Sequence, residues 1–137
     1  MQVRYYNALI KGFCDNLRVD DGIRVFKGMV SSGVSPDVIT FSTLMNPLGK
    51  EGRVLEANAL FRNMLVNGVL PDVASHKILF RMYWRNRMVS DAVGVLRAMV
   101  FKGLLGEEEV LGLDGEVVRE GILGAILKRG SMGFFVG

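Results

Sequence analysis

Cysteine and histidine are almost missing from this 137-residue chain, with one of each, Cys14 and His76. A single cysteine forms no intrachain disulfide, which excludes a stapled secreted module. Zinc sites built from Cys and His need three or four such ligands and are excluded with it. A serine triad would have to use His76, and no Ser lies in a GxSxG frame. Neither a GxxxxGK[ST] nor a GxGxxG phosphate loop occurs. No apolar run reaches the roughly 18 residues that cross a bilayer. The opening MQVRYYNALIKGF lacks the charged-then-apolar layout of a signal peptide and the Arg/Ser richness of a transit peptide. Proline is scarce at 3, yet glycine is abundant at 17, where average usage gives about ten.

The glycines and charges divide the chain. Residues 1–105 hold 9 glycines, 14 basic and 8 acidic residues, whereas 106–137 hold 8, 3 and 6. A basic body with an acidic, glycine-rich end points weakly to a polyanionic partner for the body.

The chain matches itself at a shift of 35. Val3, Val38 and Val73 coincide, as do Leu9, Leu44 and Leu79; Val19, Val54 and Val89; Met29, Met64 and Met99; and Gly33, Gly68 and Gly103. Pro36-Asp37 recurs as Pro71-Asp72. Three units, 3–37, 38–72 and 73–107, follow. In each, an apolar stripe such as Tyr5, Tyr6, Leu9, Ile10 and Phe13 predicts a first helix. A second helix, about 20–32 in the first unit, carries Ile23, Phe26, Met29 and Val30, with Asp20, and Ser90 in the third unit, as expected N-caps. Gly33, Gly68 and Gly103 stand where that helix must stop. Pro47 falls inside the first helix of the second unit and predicts a kink or early end, since a proline in a helix interior costs about 3 kcal/mol. Residues 108–137 leave the repeat and form a divergent cap or tail, with a C-terminal helix expected over about 115–129. The predicted fold is all-α: a right-handed α-solenoid of three helix-turn-helix units, because one helix pair cannot bury its apolar face alone.

VRYYNALIKGFC (3–14) with GVSPD (33–37), and VITFSTLMNPLGKEGRVLEANALFRNM (38–64) with GVLPD (68–72), resemble the pentatricopeptide repeat family. The third unit keeps the helix pattern but ends GLLGE (103–107). The resemblance covers about 105 residues, and the strict period of 35 separates it from the 34-residue tetratricopeptide repeat. It implies sequence-specific binding of single-stranded RNA, about one base per repeat. One specificity residue lies early in the first helix and the other ends the repeat. Carried over, Asn7 with Asp37 reads U, and Asn7→Ser is expected to move that preference toward C. Ser42 with Asp72 leans to a purine, G. Lys77 with Glu107 departs from the pattern and is assigned no base. Val3 and Val38, or Arg4 and Ile39 just after them, take the slots that sandwich the base, with Val73 and Ala74 as third-unit equivalents. The resemblance places such proteins in mitochondria or chloroplasts, in RNA processing, stability or editing, and allows protein partners from an RNA-processing complex. It implies no cofactor and no membrane.

The residues themselves support a polar face. Four-residue steps give Asn7, Lys11, Asp15; Ser42, Asn46, Lys50; and Lys77, Arg81, Arg85. Lys11, Lys50, Arg81 and Arg85 are candidate phosphate contacts, with a solvated helix face as the plain alternative. Cys14, His76 and the three aligned methionines read as packing residues. Trp84 reads as packing before base stacking. Asp37 and Asp72 read as base contacts or caps. No enzymatic activity is expected. A protein-binding solenoid and a family fragment without independent function are the competing readings.

Overall fold

In a computed structural model that describes residues 2–103, the chain forms six helices: α1 (Gln2–Asp15), α2 (Val19–Ser31), α3 (Val38–Lys50), α4 (Val54–Val66), α5 (Val73–Arg85) and α6 (Val89–Phe101). Consecutive helices pair as hairpins, and α1, α3 and α5 stack in one row with α2, α4 and α6 behind them. This is an all-α repeat solenoid. The expected C-terminal helix lies outside the described residues.

The 35-residue period reappears as a period in burial. Ile10, Met45 and Phe80 are buried, and so are Met29, Met64 and Met99. The ends of the described solenoid break the pattern. Leu44 and Leu79 are 0% and 4% exposed, but Leu9 is 40% exposed because no described helix packs in front of α1. At the other end Val89 is exposed while its counterpart Val19 is buried. A buried small residue recurs at the same place in each second helix: Gly22, Ala57 and Ala92. A Cβ on Gly22 would sit 3.3 Å from Leu44 Cδ2 and 3.4 Å from Cys14 Sγ. His76 is a packing residue, buried with its ring edge-on to Phe61 at 6.1 Å. Cys14 lies half-buried against the core, and burial pushes its thiol pKa up. Trp84 stacks on Phe80 at 6.0 Å in the cluster that joins α5 to α6.

Two expectations are corrected. Helix α3 runs without interruption through Pro47. The proline removes the hydrogen bond to the Thr43 carbonyl only, near the end of the helix, while Leu44, Met45, Leu48 and Gly49 anchor the same turn in the core. Bonding resumes at once, with the Glu51 N–H donating to the Pro47 carbonyl at 3.0 Å. Asp20 and Ser90 are not N-caps. The second helices open at Arg18, Arg53 and Met88, none of which caps through its side chain, and Asp20 already lies in the first turn of α2.

The reason is a left-handed residue just before each second helix, which the sequence pattern does not announce. Gly33, Gly68 and Gly103 have φ of +80°, +74° and +72°, as expected for helix stops. Leu17, Gly52 and Arg87 repeat the conformation at +60°, +76° and +62°. The following N–H then closes the first helix: Arg18 to Phe13, Arg53 to Leu48 and Met88 to Tyr83, each 2.8 Å. Only the middle position has the residue suited to this geometry. A non-glycine residue in this region costs about 1–2 kcal/mol. Leu17, 87% exposed, has little packing to lose. Leu17→Gly is therefore expected to raise stability by about 1 kcal/mol, read as a higher denaturation midpoint.

Candidate nucleic-acid interface

Asp37 and Asp72 sit in extended conformation directly before α3 and α5, where helix N-termini leave free N–H groups. Asp37 Oδ1 accepts from the Thr40 N–H at 3.0 Å, and the Asp37 N–H donates to Thr40 Oγ1 at 3.1 Å, a reciprocal capping box. Asp72 Oδ1 accepts from the Ser75 N–H at 2.9 Å and from the Ser75 hydroxyl at 2.8 Å. Each cap lies at a joint between units, so the preceding first helix reaches it. Asn7 Nδ2 donates to Asp37 Oδ1 at 3.1 Å, and Thr40 Oγ1 lies 2.5 Å from Asn7 Oδ1. At the second joint Ser42 is too short to reach Asp72. Its hydroxyl lies 3.2 Å from Ser75 Oγ, and Ser75 connects the two. Asn7–Thr40–Asp37 thus recurs as Ser42–Ser75–Asp72, displaced by 35. At the third joint Lys77 is half-buried, and its expected partner Glu107 lies outside the described residues.

Burial works against ionisation of Asp37, but the bonds from the Thr40 N–H, Asn7 and the Thr40 hydroxyl outweigh it, so the pKa lies below the ordinary carboxylate value. At Asp72 burial is likewise outweighed by the Ser75 N–H and hydroxyl. A depressed folded-state pKa gives stability that is present above the unfolded value, about 3.9, and lost as pH falls through the folded one. Thermal midpoints are expected to hold from pH 7 to about pH 4 and to fall below it. Asp72→Ala should cost about 1 kcal/mol at neutral pH, the worth of an N-cap, and flatten part of that acid limb.

Around the two joints the first helices present their polar stripe. Arg4, Ile39 and Ala74 are exposed, whereas Val3, Val38 and Val73 are partly buried. Of the two alternatives for a base sandwich, the exposed set is the one with an open face. Lys50, Arg81 and Arg85 are exposed, but exposed Lys11 holds Asp15 at 3.0 Å and offers less net charge than a lone cation. An open groove of about 510 Å³ runs between the C-terminal halves of α1 and α3, lined by Lys11, Asp15, Ser42, Asn46, Pro47 and Lys50 among others. Proline thus faces the groove rather than the core. On the opposite row, Arg53 ties the units together, reaching Asp20 at 2.7 Å and Glu56 at 2.7 Å. Among the described residues no three His, Cys, Asp or Glu side chains group as metal ligands, and no helix is long and apolar enough to cross a membrane.

Thr40 and Ser75 were not among the expected site residues. Their signal was available: each is a hydroxyl three positions after a capping aspartate.

Sequence families agree with this architecture. The PPR repeat family matches residues 1–50, and the single PPR repeat matches 39–69 and again 74–104. The chain belongs to the pentatricopeptide repeat family. A chloroplastic pentatricopeptide repeat-containing protein of Arabidopsis thaliana is 37% identical over 53 residues, 39% of this chain and 8% of the relative. A second Arabidopsis member is 48% identical over 40 residues, 29% of this chain and 7% of its own length. The chain therefore spans less than a tenth of these relatives. Among solved structures, the maize pentatricopeptide repeat protein PPR10 superposes with a TM-score of 0.71 at 23% identity, over 93% of this chain and 19% of that one. PPR10 in complex with an 18-nucleotide psaJ RNA element gives 0.70 at 21% identity, over 87% and 20%.

Proposed function

We propose that this chain binds single-stranded RNA along its α1–α3–α5 face and reads one base at each joint between units. It acts as a binding module, not a catalyst, within organellar RNA processing, stability or editing. The observation that carries the reading is the paired readout cluster, Asn7–Thr40–Asp37 and Ser42–Ser75–Asp72, repeated at the period of the fold. The PPR10–RNA complex supports the nucleic-acid class, and the chloroplastic Arabidopsis relative supports a chloroplast or mitochondrial setting.

The hydrogen-bond inventory yields a base preference. A carboxylate accepts only. Asp37 and Asp72 each use Oδ1 for the cap and leave Oδ2 as an acceptor. Against the middle of a base's pairing edge, an acceptor needs a ring N–H, which U and G carry and C and A do not. At the first joint Asn7 Oδ1 faces the Thr40 hydroxyl and one Nδ2–H faces Asp37, so the second Nδ2–H is left as a donor. Donor beside acceptor suits the carbonyl and N3–H of U. At the second joint Ser75 donates its proton to Asp72, so it accepts from Ser42. Ser42 then has no proton left, and both groups face the base as acceptors. Two adjacent donors, N1–H and N2–H, occur on G alone, and the shorter serine leaves space for a purine.

Arg4, Ile39 and Ala74 flank these bases, and Lys50, Arg81 and Arg85 supply phosphate contacts, with a weaker share from Lys11. Stacking contributes about 1–3 kcal/mol per base, so two or three bases give micromolar or weaker binding. The test is selection from a short randomised single-stranded RNA pool at two salt concentrations. Enriched U and G at neighbouring positions, with affinity falling as salt rises, is the expected result. Arg81→Ala with Arg85→Ala should weaken all sequences alike and reduce the slope of log K against log salt by about 1.4, near 0.7 per phosphate contact. A folded chain that binds no RNA at low salt contradicts the reading.

A further inference from the structure

We infer that the hydroxyls of Thr40 and Ser75 are specificity-positioning groups: each belongs to the unit after the reader, and each sets which hydrogen-bonding atoms Asn7 or Ser42 turns toward the base. The inference rests on the RNA reading above and extends it from two residues per base to three.

Proton counting fixes the arrangement at the second joint. Ser75 is fully buried, and its hydroxyl has one proton and two close oxygens, Asp72 Oδ1 at 2.8 Å and Ser42 Oγ at 3.2 Å. Asp72 is an ionised carboxylate that cannot donate, so the Ser75 proton goes there. Ser42 must then donate to Ser75, and its remaining lone pairs face outward. Without the Ser75 hydroxyl, Ser42 is free to turn its proton to the base. A freed Ser42 proton beside the Asp72 acceptor gives the donor-and-acceptor pair that suits the carbonyl and N3–H of U, as at the first joint. The cluster without Ser75 therefore loses its reason to prefer G over U, while Asp72 still rejects A and C.

Thr40 performs the same task on an amide. It is fully buried, accepts the Asp37 N–H and stands against Asn7 Oδ1. With the Asp37 carboxylate holding Nδ2, it allows one orientation of the Asn7 amide. The flipped amide would set Oδ1 against the carboxylate, oxygen against oxygen. Neither hydroxyl touches the base in this arrangement. They act through the reader, and both also cap a helix, so stability alone does not separate the roles.

The experiment is binding of the full chain to short single-stranded RNAs that differ only at the two read positions, with thermal midpoints measured on the same samples. In Ser75→Ala the cap from the backbone N–H to Asp72 remains. The G-over-U ratio at the second position is expected to fall about tenfold, the scale of one lost hydrogen-bond discrimination, while the U-over-G ratio at the first position holds. Ser75→Thr keeps a hydroxyl and should restore the G-over-U ratio. Thr40→Ser should keep the U-over-G ratio at the first position and Thr40→Val should lower it, because Asn7 Oδ1 then loses its donor and can turn toward the base. A Ser75→Ala chain that binds RNA with the original G-over-U ratio overturns the inference and leaves the RNA reading standing. So does an equal loss at both positions, which is a fold effect. Failure of the unsubstituted chain to bind RNA overturns both. Should Ser75→Ala not fold, the Thr40→Ser and Thr40→Val pair decides in the same way on the U-over-G ratio.

Discussion

Asn7→Ser is expected to switch the first base read from U to G. The substitution makes the first joint a copy of the second: a serine on α1, a hydroxyl at Thr40 and an acceptor at Asp37. Thr40 Oγ1 lies 2.9 Å from Asp37 Oδ1 and would donate there, as Ser75 does to Asp72. The introduced hydroxyl would then give its proton to Thr40 and face the base as an acceptor. The sequence expectation of a move toward C conflicts with the pairing of Ser42 and Asp72, which the same resemblance assigns to G. The hydrogen-bond inventory also favours G, because Asp37 stays an acceptor and C has no ring N–H for it to meet. A matched pair of hydrogen bonds discriminates by about 1–3 kcal/mol, so the G-over-U ratio should change by about tenfold or more. Binding of paired oligonucleotides by the parent and variant chains measures it.

Phe41→Ala should have the largest effect on stability. Phe41 is fully buried at the joint between the first and second units, edge-on to Phe26 at 5.6 Å. Truncating a buried Phe costs about 3–5 kcal/mol, from lost burial and from the cavity left behind. A domain of about 100 residues has roughly 5–15 kcal/mol in all, and repeat arrays add stability through nearest-neighbour contacts. Loss at this joint therefore detaches the first unit before the rest. A fall in thermal midpoint of about 12 °C or more is expected, at about 4–8 °C per kcal/mol. Leu55→Ala, at a site 84% exposed, should change stability by no more than about 0.5 kcal/mol. Equal effects from the two would mean that the inter-unit core does not hold the solenoid together.

The repeat made most of the fold legible. A shift of 35 aligned residues that turned out equivalent in burial, as Ile10, Met45 and Phe80 show. Gly33, Gly68 and Gly103 marked the helix stops because all three hold the residue that the left-handed conformation favours. The other left-handed site stayed hidden because Leu17 and Arg87 occupy two of its three positions. Pro47 misled for a related reason. Its intrinsic cost is real, but Leu44, Met45 and Leu48 hold the turn in place. At the site, Asn7 and Asp37 were named from sequence and stand 3.1 Å apart. Thr40 and Ser75 were missed because a hydroxyl in a capping position already has a structural explanation. Only the distances show these hydroxyls touching Asn7 and Ser42 of the preceding unit. Asp20 was read as a cap, yet its carboxylate lies with Arg53 of the next unit, a contact that no local pattern encodes.

If neighbouring joints read neighbouring bases through ring N–H groups, one binding comparison tests it most directly. The full chain is titrated at low salt with short single-stranded RNAs carrying adjacent U and G, in both orders, and with the same RNAs carrying C and A in their place. One order of U and G is expected to bind tighter than its C and A counterpart by about tenfold or more. Equal affinity for the two sets, with the chain folded and bound, would contradict it.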